Sequence, residues 1–313
     1  YPTGVLKSIE NMDTGEVTVF FESGPKSQHF FLKNDEIDGD VELFFECGGV
    51  REKSKYKAGK RHGKGVSYFS SGAKDVEFEY ADDKLTGEYL SYFENGVLFS
   101  KNTFKEDNIV GRYVEYFANG KIKAEGEYVD GKHTGPWKYY HSNGKLEKEG
   151  VFKAGKGDGE WKYYNSIGEL TEKRNLAEGR LQGENTMYHD GKVHFIVSYK
   201  NDLAVKIQYF DKNGKELFKA ENGSGNFNVK SYYAHGQLNG EGAYKKGKME
   251  GAWKFYYPEG SKRSEFSYKD GELDGKAREF FRNGAVQFDM SYKTGQFDGY
   301  FIEYFGNGQI KQE

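Results

Sequence analysis

Hydrophobic and polar positions recur along this chain with a period of 24 residues, and a glycine starts nearly every period. The glycines that keep this step are Gly15, Gly39, Gly63, Gly87, Gly111, Gly135, Gly159, Gly183, Gly251, Gly275 and Gly299. Five residues after each of them stands an aromatic residue: Phe20, Phe44, Tyr68, Tyr92, Tyr116, Tyr140, Tyr164, Tyr188, Tyr256, Phe280 and Tyr304. Two further units fit if Val205 and Phe227 stand in place of the glycine, which gives thirteen units. Such a period predicts a repeat array.

Each unit has the pattern of a β-hairpin. In the unit that starts at Gly135, two short runs rich in aromatic and β-branched residues flank Asn143-Gly144. This dipeptide between such runs is a strong hairpin signal, and it predicts a type I′ turn with positive φ at both central residues. A second turn is predicted at Gly155, before the next unit starts. We attribute the high glycine content, 42 of 313 residues, to these turns.

The predicted fold class is all-β. We expect an elongated, twisted, single-layer antiparallel sheet, a solenoid-like array of about thirteen 24-residue hairpins in one continuous sheet. Because side chains alternate across a strand, Trp137 and Tyr139 are predicted on one face and Tyr140 on the other. The aromatic residues five positions after each repeat start should form a single stripe. Open sheets of more than about ten strands curl, so a curved ribbon with a groove is expected.

The regularity of the repeat divides the chain into four segments. Residues 1–14 read as a partial N-terminal hairpin, 15–182 and 251–313 as regular repeats, and 183–250 as irregular repeats. From Gly183 to Gly251 there are 68 residues where three units would take 72. Two interpretations are open for this irregular segment: tolerated loop variation, or a bend with shorter strands or tighter turns.

Composition excludes several classes of function. The 46 basic and 49 acidic residues are interspersed, with a net charge of −3, so no basic stripe for nucleic acid is present. No apolar stretch is long enough for a transmembrane segment. Cys47 is the single cysteine, which excludes an intramolecular disulfide.

No motif indicates catalysis, a cofactor or a metal. The seven histidines show no HExxH motif, and one cysteine cannot build a zinc quartet. The glycines of 155–159 resemble part of a phosphate loop, but the repeat period already explains them, and no GK[ST] motif follows. We therefore predict that the chain is not an enzyme and has no cofactor or metal site.

The residue pattern resembles the MORN repeat. The pattern is G-x-W-x-Y-Y, then N-G-x-L, then an aromatic residue, and three units show it best. They carry it at Gly135, Trp137, Tyr139, Tyr140, Asn143, Gly144, Leu146 and Phe152, at Gly159, Trp161, Tyr163 and Tyr164, and at Gly251, Trp253, Phe255 and Tyr256. The variant form found in bacterial YwqK-type antitoxin components is the most similar. This resemblance covers residues 15–313 and implies single-sheet hairpin rods that contact proteins, sometimes phospholipids, without chemistry of their own.

Three functions follow as hypotheses. The first is a noncatalytic scaffold for protein–protein interaction, with a partner on the aromatic sheet face or groove and Trp137, Tyr139, Trp161 and Tyr163 as candidate anchors. The same tryptophans also fit a purely structural role as ladder elements. The second is an antitoxin or immunity protein that binds a toxin, which the resemblance implies. The third is peripheral phospholipid binding, which the lack of a basic patch disfavours.

Compartment and assembly stay open at this stage. The chain starts at Tyr1 without a methionine, which fits either an exported protein whose N-terminal signal was removed or an arbitrary boundary in a cytoplasmic one. Strand edges are expected at both ends of the array, and Lys311 and Glu313 place charge on the C-terminal edge. Charged edges resist pairing, so we predict a monomer or a weak dimer.

Overall fold

The chain folds into consecutive antiparallel β-hairpins. The computed structural model describes residues 7–12 and 14–313, and these residues contain strands and turns but no helix. They form two compact units, residues 1–156 and 157–313. The partial hairpin predicted over 1–14 falls partly on residues 1–6 and 13, which lie outside the described residues. The all-β repeat array is confirmed, with thirteen hairpins, one for each predicted unit.

The described residues of the first unit form fifteen strands. They are β1 (Ser8–Asn11), β2 (Glu16–Phe20), β3 (Lys26–Lys33), β4 (Glu36–Ile37), β5 (Gly39–Phe44), β6 (Val50–Lys57), β7 (Lys60–Arg61), β8 (Gly63–Tyr68), β9 (Lys74–Ala81), β10 (Lys84–Tyr92), β11 (Leu98–Lys105), β12 (Asn108–Tyr116), β13 (Ile122–Val129), β14 (Lys132–Tyr140) and β15 (Leu146–Lys153).

The second unit also has fifteen strands. They are β16 (Lys156–Tyr164), β17 (Leu170–Ala177), β18 (Arg180–Leu181), β19 (Gly183–His189), β20 (Lys192–Lys200), β21 (Leu203–Phe210), β22 (Glu216–Glu221), β23 (Phe227–Tyr232), β24 (Leu238–Lys245), β25 (Lys248–Tyr256), β26 (Lys262–Lys269), β27 (Glu272–Phe280), β28 (Val286–Lys293), β29 (Gln296–Tyr304) and β30 (Ile310–Gln312).

Twelve of the thirteen hairpins close through a three-residue loop, and the hairpin of β19 and β20 closes through the two-residue turn Asp190-Gly191. In the loop after β10, Gly96 N–H donates to Phe93 C=O at 2.8 Å, and Phe93 N–H donates to Val97 C=O at 2.8 Å. Gly96 has a positive φ of 81°, whereas Asn95 is not among the positive-φ residues. This is a type I turn followed by a glycine bulge, so the predicted type I′ turn at Asn-Gly was wrong. The loop holds one more residue than a type I′ hairpin does, and the asparagine side chain caps it by accepting from Val97 N–H at 3.1 Å.

Apart from Asp190-Gly191 in the hairpin of β19 and β20, the type I′ turns lie instead between one repeat and the next. Asp130 and Gly131 both have positive φ, 48° and 73°, and the flanking Val129 and Lys132 are paired across the turn. Gly131 N–H also donates to Ile109 C=O of the preceding repeat at 3.0 Å. The same backbone bond recurs from Gly271 to Met249 at 2.9 Å. Neighbouring turns along this edge are thus joined to each other.

Apart from Gly15, which lies in the turn before β2, the glycine that starts a repeat is a bulge within a strand or at its start. Gly135 has a φ of 63°, and the pairing of β13 with β14 shifts register around it, between Glu125 and Glu127. All eleven start glycines have positive φ, a conformation that side-chain-bearing residues rarely adopt. Our attribution of the glycine excess to turns was therefore incomplete, since these strand bulges account for part of it.

One turn residue is poorly suited to its conformation. Thr294 has a φ of 48°, which is unfavourable for a β-branched residue. Asparagine adopts this conformation with less strain, so Thr294→Asn should raise the free energy of unfolding by about 1 kcal/mol. Chemical denaturation would measure the change. Thr103→Asn, at an exposed position of β11, is the control and should not stabilise the protein.

The predicted continuous sheet is wrong in the second unit. Strands β23 to β30 form a sheet of eight strands, and no ladder joins β22 to β23 anywhere in the fully described stretch 157–313. Both strands have six residues, whereas β24 and β25, which follow them, have eight and nine. The four predicted sequence segments and the bend itself stay predictions.

Like charge explains the missing ladder. At the other repeat junctions of this unit, a residue late in one repeat faces one early in the next. The facing residues are Lys173 and Thr186, Ile196 and Gln208, Glu241 and Lys254, Glu265 and Arg278, and Asp289 and Ile302. The same register would set Lys219 of β22 directly opposite Lys230 of β23. Like charges at directly opposed positions destabilise strand pairing.

Candidate functional site

The two faces of the repeats differ in chemistry. On β14, Trp137 and Tyr139 project on one side, where their rings stack with centroids 5.9 Å apart. On the other side, Tyr140 O–H donates to Glu125, which faces Lys138 across the strands. We call the first the aromatic face and the second the charged face. The predicted separation of Trp137 and Tyr139 from Tyr140 is confirmed.

A row of buried side chains runs along the aromatic face, two residues after each repeat start. In the first unit the buried residues of this row are Val17, Val41 and Trp137. In the second unit they are Trp161, Asn185, Ile207, Val229, Trp253 and Ala277. The sequence reading emphasised the aromatic residues five positions after the start, which are half-buried and hold one register position throughout. In the repeats named above, the core lies at the earlier position.

Glycine makes room for the tryptophan of the first unit. A Cβ on Gly126 would lie 2.3 Å from the Trp137 ring, and Gly150 stands directly opposite Trp137 on β15. The indole lies across positions where any other residue would place a side chain. Its Nε1 donates to Glu127 C=O at 3.2 Å, and only 2% of the residue is exposed.

Aromatic side chains surround this indole. The ring centroid of His133 lies 4.2 Å from that of Trp137, with Tyr128 at 5.4 Å and Tyr113 at 5.7 Å. His133 Nε2 and the Tyr128 hydroxyl are 2.9 Å apart. Burial lowers the pKa of His133 below its usual value, so this ring is neutral at pH 7. The cluster is a small apolar core built on one face of a sheet.

The more accessible part of this face begins beside the tryptophan. Tyr139 is half-buried, and Lys148 Nζ lies 4.4 Å from the centroid of its ring. The Tyr113 hydroxyl donates to Glu115 at 3.3 Å on the same face. An aromatic ring with a cation above it and a carboxylate nearby offers apolar area together with charge of both signs.

A second such arrangement lies in the second unit. Trp161 is 4% exposed, and Arg174 faces it across β16 and β17. The Arg174 guanidinium lies 4.5 Å from the ring centroid of half-buried Tyr163 and donates two hydrogen bonds to the Glu172 carboxylate. Burial raises the pKa of Tyr163, so its hydroxyl keeps its proton at pH 7. The carboxylate fixes the arginine over the ring.

The third tryptophan repeats the construction of the first. Trp253 Nε1 donates to Ala243 C=O at 3.1 Å, and a Cβ on Gly242 would lie 2.2 Å from its ring. Together with Ile207 and Val229, it forms the buried cluster of the second unit. Large residues thus pack over glycines in both units.

The charged face carries ion pairs and a recurrent tyrosine–glutamate bond. Lys53 Nζ lies 2.7 Å from Glu42 Oε1, an exposed type of pair that contributes at most about 1 kcal/mol. The tyrosine five residues after the start donates to a glutamate of the preceding repeat. The pairs are Tyr92 with Glu77 at 2.7 Å, Tyr140 with Glu125 at 2.7 Å and Tyr256 with Glu241 at 2.8 Å. These bonds link consecutive hairpins.

Because of these tyrosine–glutamate bonds, we expect the folded chain to become less stable at alkaline pH. Burial and the Glu125 carboxylate raise the pKa of Tyr140 to about 12, and Tyr92 and Tyr256 are raised in the same way. As pH rises, the tyrosine hydroxyls therefore lose their protons in the unfolded chain before they do in the folded chain. The tyrosine–glutamate bonds contribute fully to stability below pH about 10, and this contribution is lost as pH rises through 12. Melting temperature should fall over this window. The decline should be shallower in the triple variant Tyr92→Phe, Tyr140→Phe, Tyr256→Phe; an equally steep decline would contradict the assignment.

The structure separates the four predicted anchor residues into two kinds. Trp137 and Trp161 lie in the buried row, whereas Tyr139 and Tyr163 are half-buried and each has a cation above its ring. Tyr139 lies beside Trp137 in the first unit, and Trp161 and Tyr163 belong to the second unit. Lys148 and Arg174 were missed by the sequence reading, because cross-strand register was needed to place them over the tyrosines. Partner binding by any of these residues stays a prediction.

Residues 7–12 and 14–313 contain no group of three or more histidine, cysteine or carboxylate side chains able to hold a metal ion. Cys47 is exposed. A helix of the length and hydrophobicity needed to span a bilayer is likewise not found among these residues.

Part of this chain also matches a known repeat family in sequence. Five segments of this chain match the MORN repeat variant. They are residues 85–106, 109–130, 134–154, 249–270 and 273–294. MORN repeats are generally associated with protein or membrane-lipid interaction and are a non-catalytic type of repeat. The MORN segments include Trp137, Tyr139 and Lys148 but not Trp161 and Tyr163.

Other comparisons add little detail. No curated protein matches the chain significantly. Among solved structures, the crystal structure of TcdB2-TccC3-Cdc42 is similar at 13% identity, with a TM-score of 0.19, over 94% of this chain and 18% of that chain. The crystal structure of TcdB2-TccC3-TEV is similar at 12% identity, with a TM-score of 0.19 and the same shares. This chain spans only 18% of the length of either.

Proposed function

We propose that this chain is a noncatalytic repeat scaffold that binds a protein partner on its aromatic face. The carrying observation is the cation held over a half-buried tyrosine, Lys148 over Tyr139 and Arg174 over Tyr163, beside a buried tryptophan. Tyrosine and arginine are enriched at the energetic centres of protein interfaces. A repeat array presents such groups on a long, regular surface.

Tyrosine and tryptophan have different roles in this proposal. With 2% of Trp137 exposed, a partner gains almost no contact area from it, so the indole acts as a rigid support for the surface above. Tyr139 and Tyr163 keep part of their rings accessible and are the anchors that a partner contacts. Aromatic anchors that neighbouring side chains hold in place lose little conformational entropy on binding.

A protein partner fits this surface better than a lipid surface does. Peripheral binding to anionic lipid relies on clusters of lysine and arginine. On the aromatic face the cations are accompanied by carboxylates, as with Arg174 and Glu172. An antitoxin role, implied by the resemblance to YwqK-type components, would be one form of this function, with a toxin enzyme as the partner.

The test is a partner capture followed by measurement of affinity. Partners are crosslinked to the full chain in lysate and identified, and the dissociation constant is then measured for the unmodified chain, Tyr139→Ala and Tyr163→Ala. We expect at least one tyrosine variant to lose about thirtyfold in affinity, the size of a typical hot spot, while circular dichroism shows that it remains folded at the assay temperature. Lys138→Ala, on the charged face beside Tyr139, is the matched control and should bind normally.

The opposite results would redirect the assignment. Unchanged affinity in both tyrosine variants, with loss in Lys138→Ala, would move the interface to the charged face. Binding to phosphatidylserine vesicles with no captured protein would favour lipid as the ligand. A captured enzyme that the chain inhibits would identify the antitoxin form of the function.

A further inference from the structure

A row of phenylalanines lies along the hairpin loops of the first unit. Each directly follows the first strand of its hairpin, and its N–H closes the loop, as Phe93 N–H does by donating to Val97 C=O at 2.8 Å. We call the first four of them the loop ridge: Phe21, Phe45, Phe69 and Phe93. All four are half-buried, so each hairpin presents one partly accessible ring. None of these hairpins contains Tyr139 or Tyr163.

The fourth ring of the loop ridge has an exposed aromatic neighbour. Phe99, on the returning strand β11, is 37% exposed, and its ring centroid lies 5.1 Å from that of Phe93. The two ring planes meet at 82°, so they form two walls of a corner. Proline-rich segments dock against aromatic side chains arranged in this way, because the flat, rigid proline ring packs on an aromatic surface.

The spacing of the loop ridge matches one conformation of a bound chain. Neighbouring strands lie about 4.8 Å apart, so rings on successive hairpins repeat about every 9.6 Å. A polyproline II helix repeats its side chains every three residues, or about 9.3 Å, which gives a mismatch of about 1 Å over four hairpins. Seven residues of an α-helix take about 10.5 Å, and the mismatch grows to about 3 Å. Three residues of an extended strand take about 10 Å but end on the opposite face.

The backbone at the loop ridge is already hydrogen-bonded within its loops. In each of the four loops the phenylalanine N–H donates across the loop, and its C=O accepts from a glycine, as Phe93 C=O accepts from Gly96 N–H at 2.8 Å. A ligand that binds by strand pairing therefore finds these groups occupied. A polyproline II chain needs no such bonds, because proline has no N–H and the backbone of this helix stays solvated. Side-chain contacts then supply the affinity.

Carboxylates beside the loop ridge favour a basic ligand. In three of the four loops the residue after the ring is an exposed glutamate: Glu22, Glu46 and Glu94. Among the described residues 7–12 and 14–313 none of the three forms an ion pair, whereas Glu42 and Glu88 of the same hairpins pair with lysines. Arg51 is exposed at the position that Phe99 has in its own hairpin, so carboxylates outnumber it along the ridge.

We propose that the loop ridge binds a basic, proline-rich segment in the polyproline II conformation, with proline at every third position. One proline lies against each phenylalanine of the ridge, and the corner between Phe93 and Phe99 holds one of them. Arginine or lysine side chains between the prolines pair with Glu22, Glu46 and Glu94. This site goes beyond the proposed function and does not depend on it.

The experiment uses the full chain and a fluorescent synthetic peptide of four Pro-Ala-Arg units. We expect saturable binding by anisotropy, which weakens as salt concentration rises because ion pairs contribute. Three control peptides separate the contributions. A peptide of the same composition with its prolines in one block tests spacing, glutamate in place of arginine tests charge, and alanine in place of proline tests the polyproline II conformation. Each should bind about tenfold more weakly or worse.

Variants locate the site. Phe93→Ala and Phe99→Ala should each reduce affinity for the Pro-Ala-Arg peptide about tenfold, because each removes one wall of the corner. Phe93→Leu keeps apolar volume and should reduce affinity several-fold, as should Glu94→Lys, which changes an exposed side chain. Two controls lie in the second unit: Phe281→Ala, at the same loop position, and Glu272→Lys, at an exposed carboxylate, should leave affinity within twofold. Circular dichroism checks that each variant is folded.

Four results would overturn the proposal. The first is absence of saturable binding by the unmodified chain, and the second is equal binding of the spaced and block peptides. The third is affinity within twofold in both Phe93→Leu and Phe99→Ala. The fourth is tighter binding of a basic helical peptide with leucines seven residues apart, which would assign the loop ridge to a helical partner. None of these results bears on the tests of Tyr139 and Tyr163.

Discussion

Replacing Trp137 by alanine should lower the free energy of unfolding by about 3–5 kcal/mol, the usual cost of removing a fully buried aromatic side chain. The ring is in contact with His133, Tyr128 and Tyr113, and its removal leaves a cavity that the sheet backbone cannot close. Chemical denaturation followed by circular dichroism would measure the change. Val129→Ala is the control: Val129 is 57% exposed on β13, the strand next to that of Trp137, so its truncation should change stability by less than about 0.5 kcal/mol.

An effect of Trp137→Ala no larger than that of Val129→Ala would show that the indole is not part of the core. Trp253→Ala provides an independent test in the second unit, where the tryptophan has the same kind of glycine beneath it and the same bond from Nε1 to a carbonyl. We expect a loss of the same order there. Agreement between the two units would establish the buried row as a general feature of the repeat.

Adding one methyl group at Gly126 should destabilise the chain by about 1–3 kcal/mol, the usual range for overpacking. In Gly126→Ala the new Cβ would lie 2.3 Å from the indole, so the ring or the strand must move. Gly49→Ala is the matched control, because Gly49 has no positive φ and nothing lies within 4 Å of an added Cβ. The difference in stability is measured from the denaturant midpoints of the two variants, provided that the free energy of unfolding depends equally on denaturant concentration in both.

A double-mutant cycle identifies the cause. In a Trp137→Ala background the indole is absent, so Gly126→Ala should cost far less than in the unmodified chain. Additive losses would mean that alanine is disfavoured at this position for a reason other than the ring.

Much of the fold could be predicted from the sequence, because turn residues and aromatic residues recur in fixed order. The thirteen hairpins and the turn positions at Asn143-Gly144 and Gly155 follow from this order. The turn types did not follow. The dipeptide Asn-Gly suits both a two-residue type I′ loop and the end of a three-residue loop, and loop length depends on the register of the flanking strands. The bulge at Gly135 depends on strand register in the same way.

The candidate site was predicted only in part. Trp137 was recognised as an interface candidate from its size, but burial depends on the residues of adjacent strands, which pattern alone does not reveal. A signal for burial is nevertheless present: each tryptophan follows a glycine eleven residues earlier, at Gly126, Gly150 and Gly242. The sequence gives no comparable signal for Lys148 and Arg174, the cations that lie over Tyr139 and Tyr163.

The break in the sheet had two sequence signals. The first is the shortened repeat period between Gly183 and Gly251. The second is that Lys219 and Lys230 occupy positions where the facing residues of other junctions are oppositely charged or include a neutral residue. Only the observed register of the neighbouring junctions shows that Lys219 and Lys230 would be opposed. Charge composition alone, with 46 basic and 49 acidic residues interspersed, gives no indication of this local conflict.

The two edges of the repeat array should differ in how readily they accept inserted sequence. Along one edge, each type I′ turn is bonded through its backbone to the preceding repeat, as Gly131 is to Ile109. Along the other, the hairpin loops are linked by asparagine side chains, such as Asn95 Nδ2 to Ala118 C=O at 3.3 Å. An insertion in a hairpin loop breaks one side-chain bond and leaves the backbone column intact. Tags, labels and natural length variants therefore belong in the asparagine loops, and the turn edge should keep a constant length.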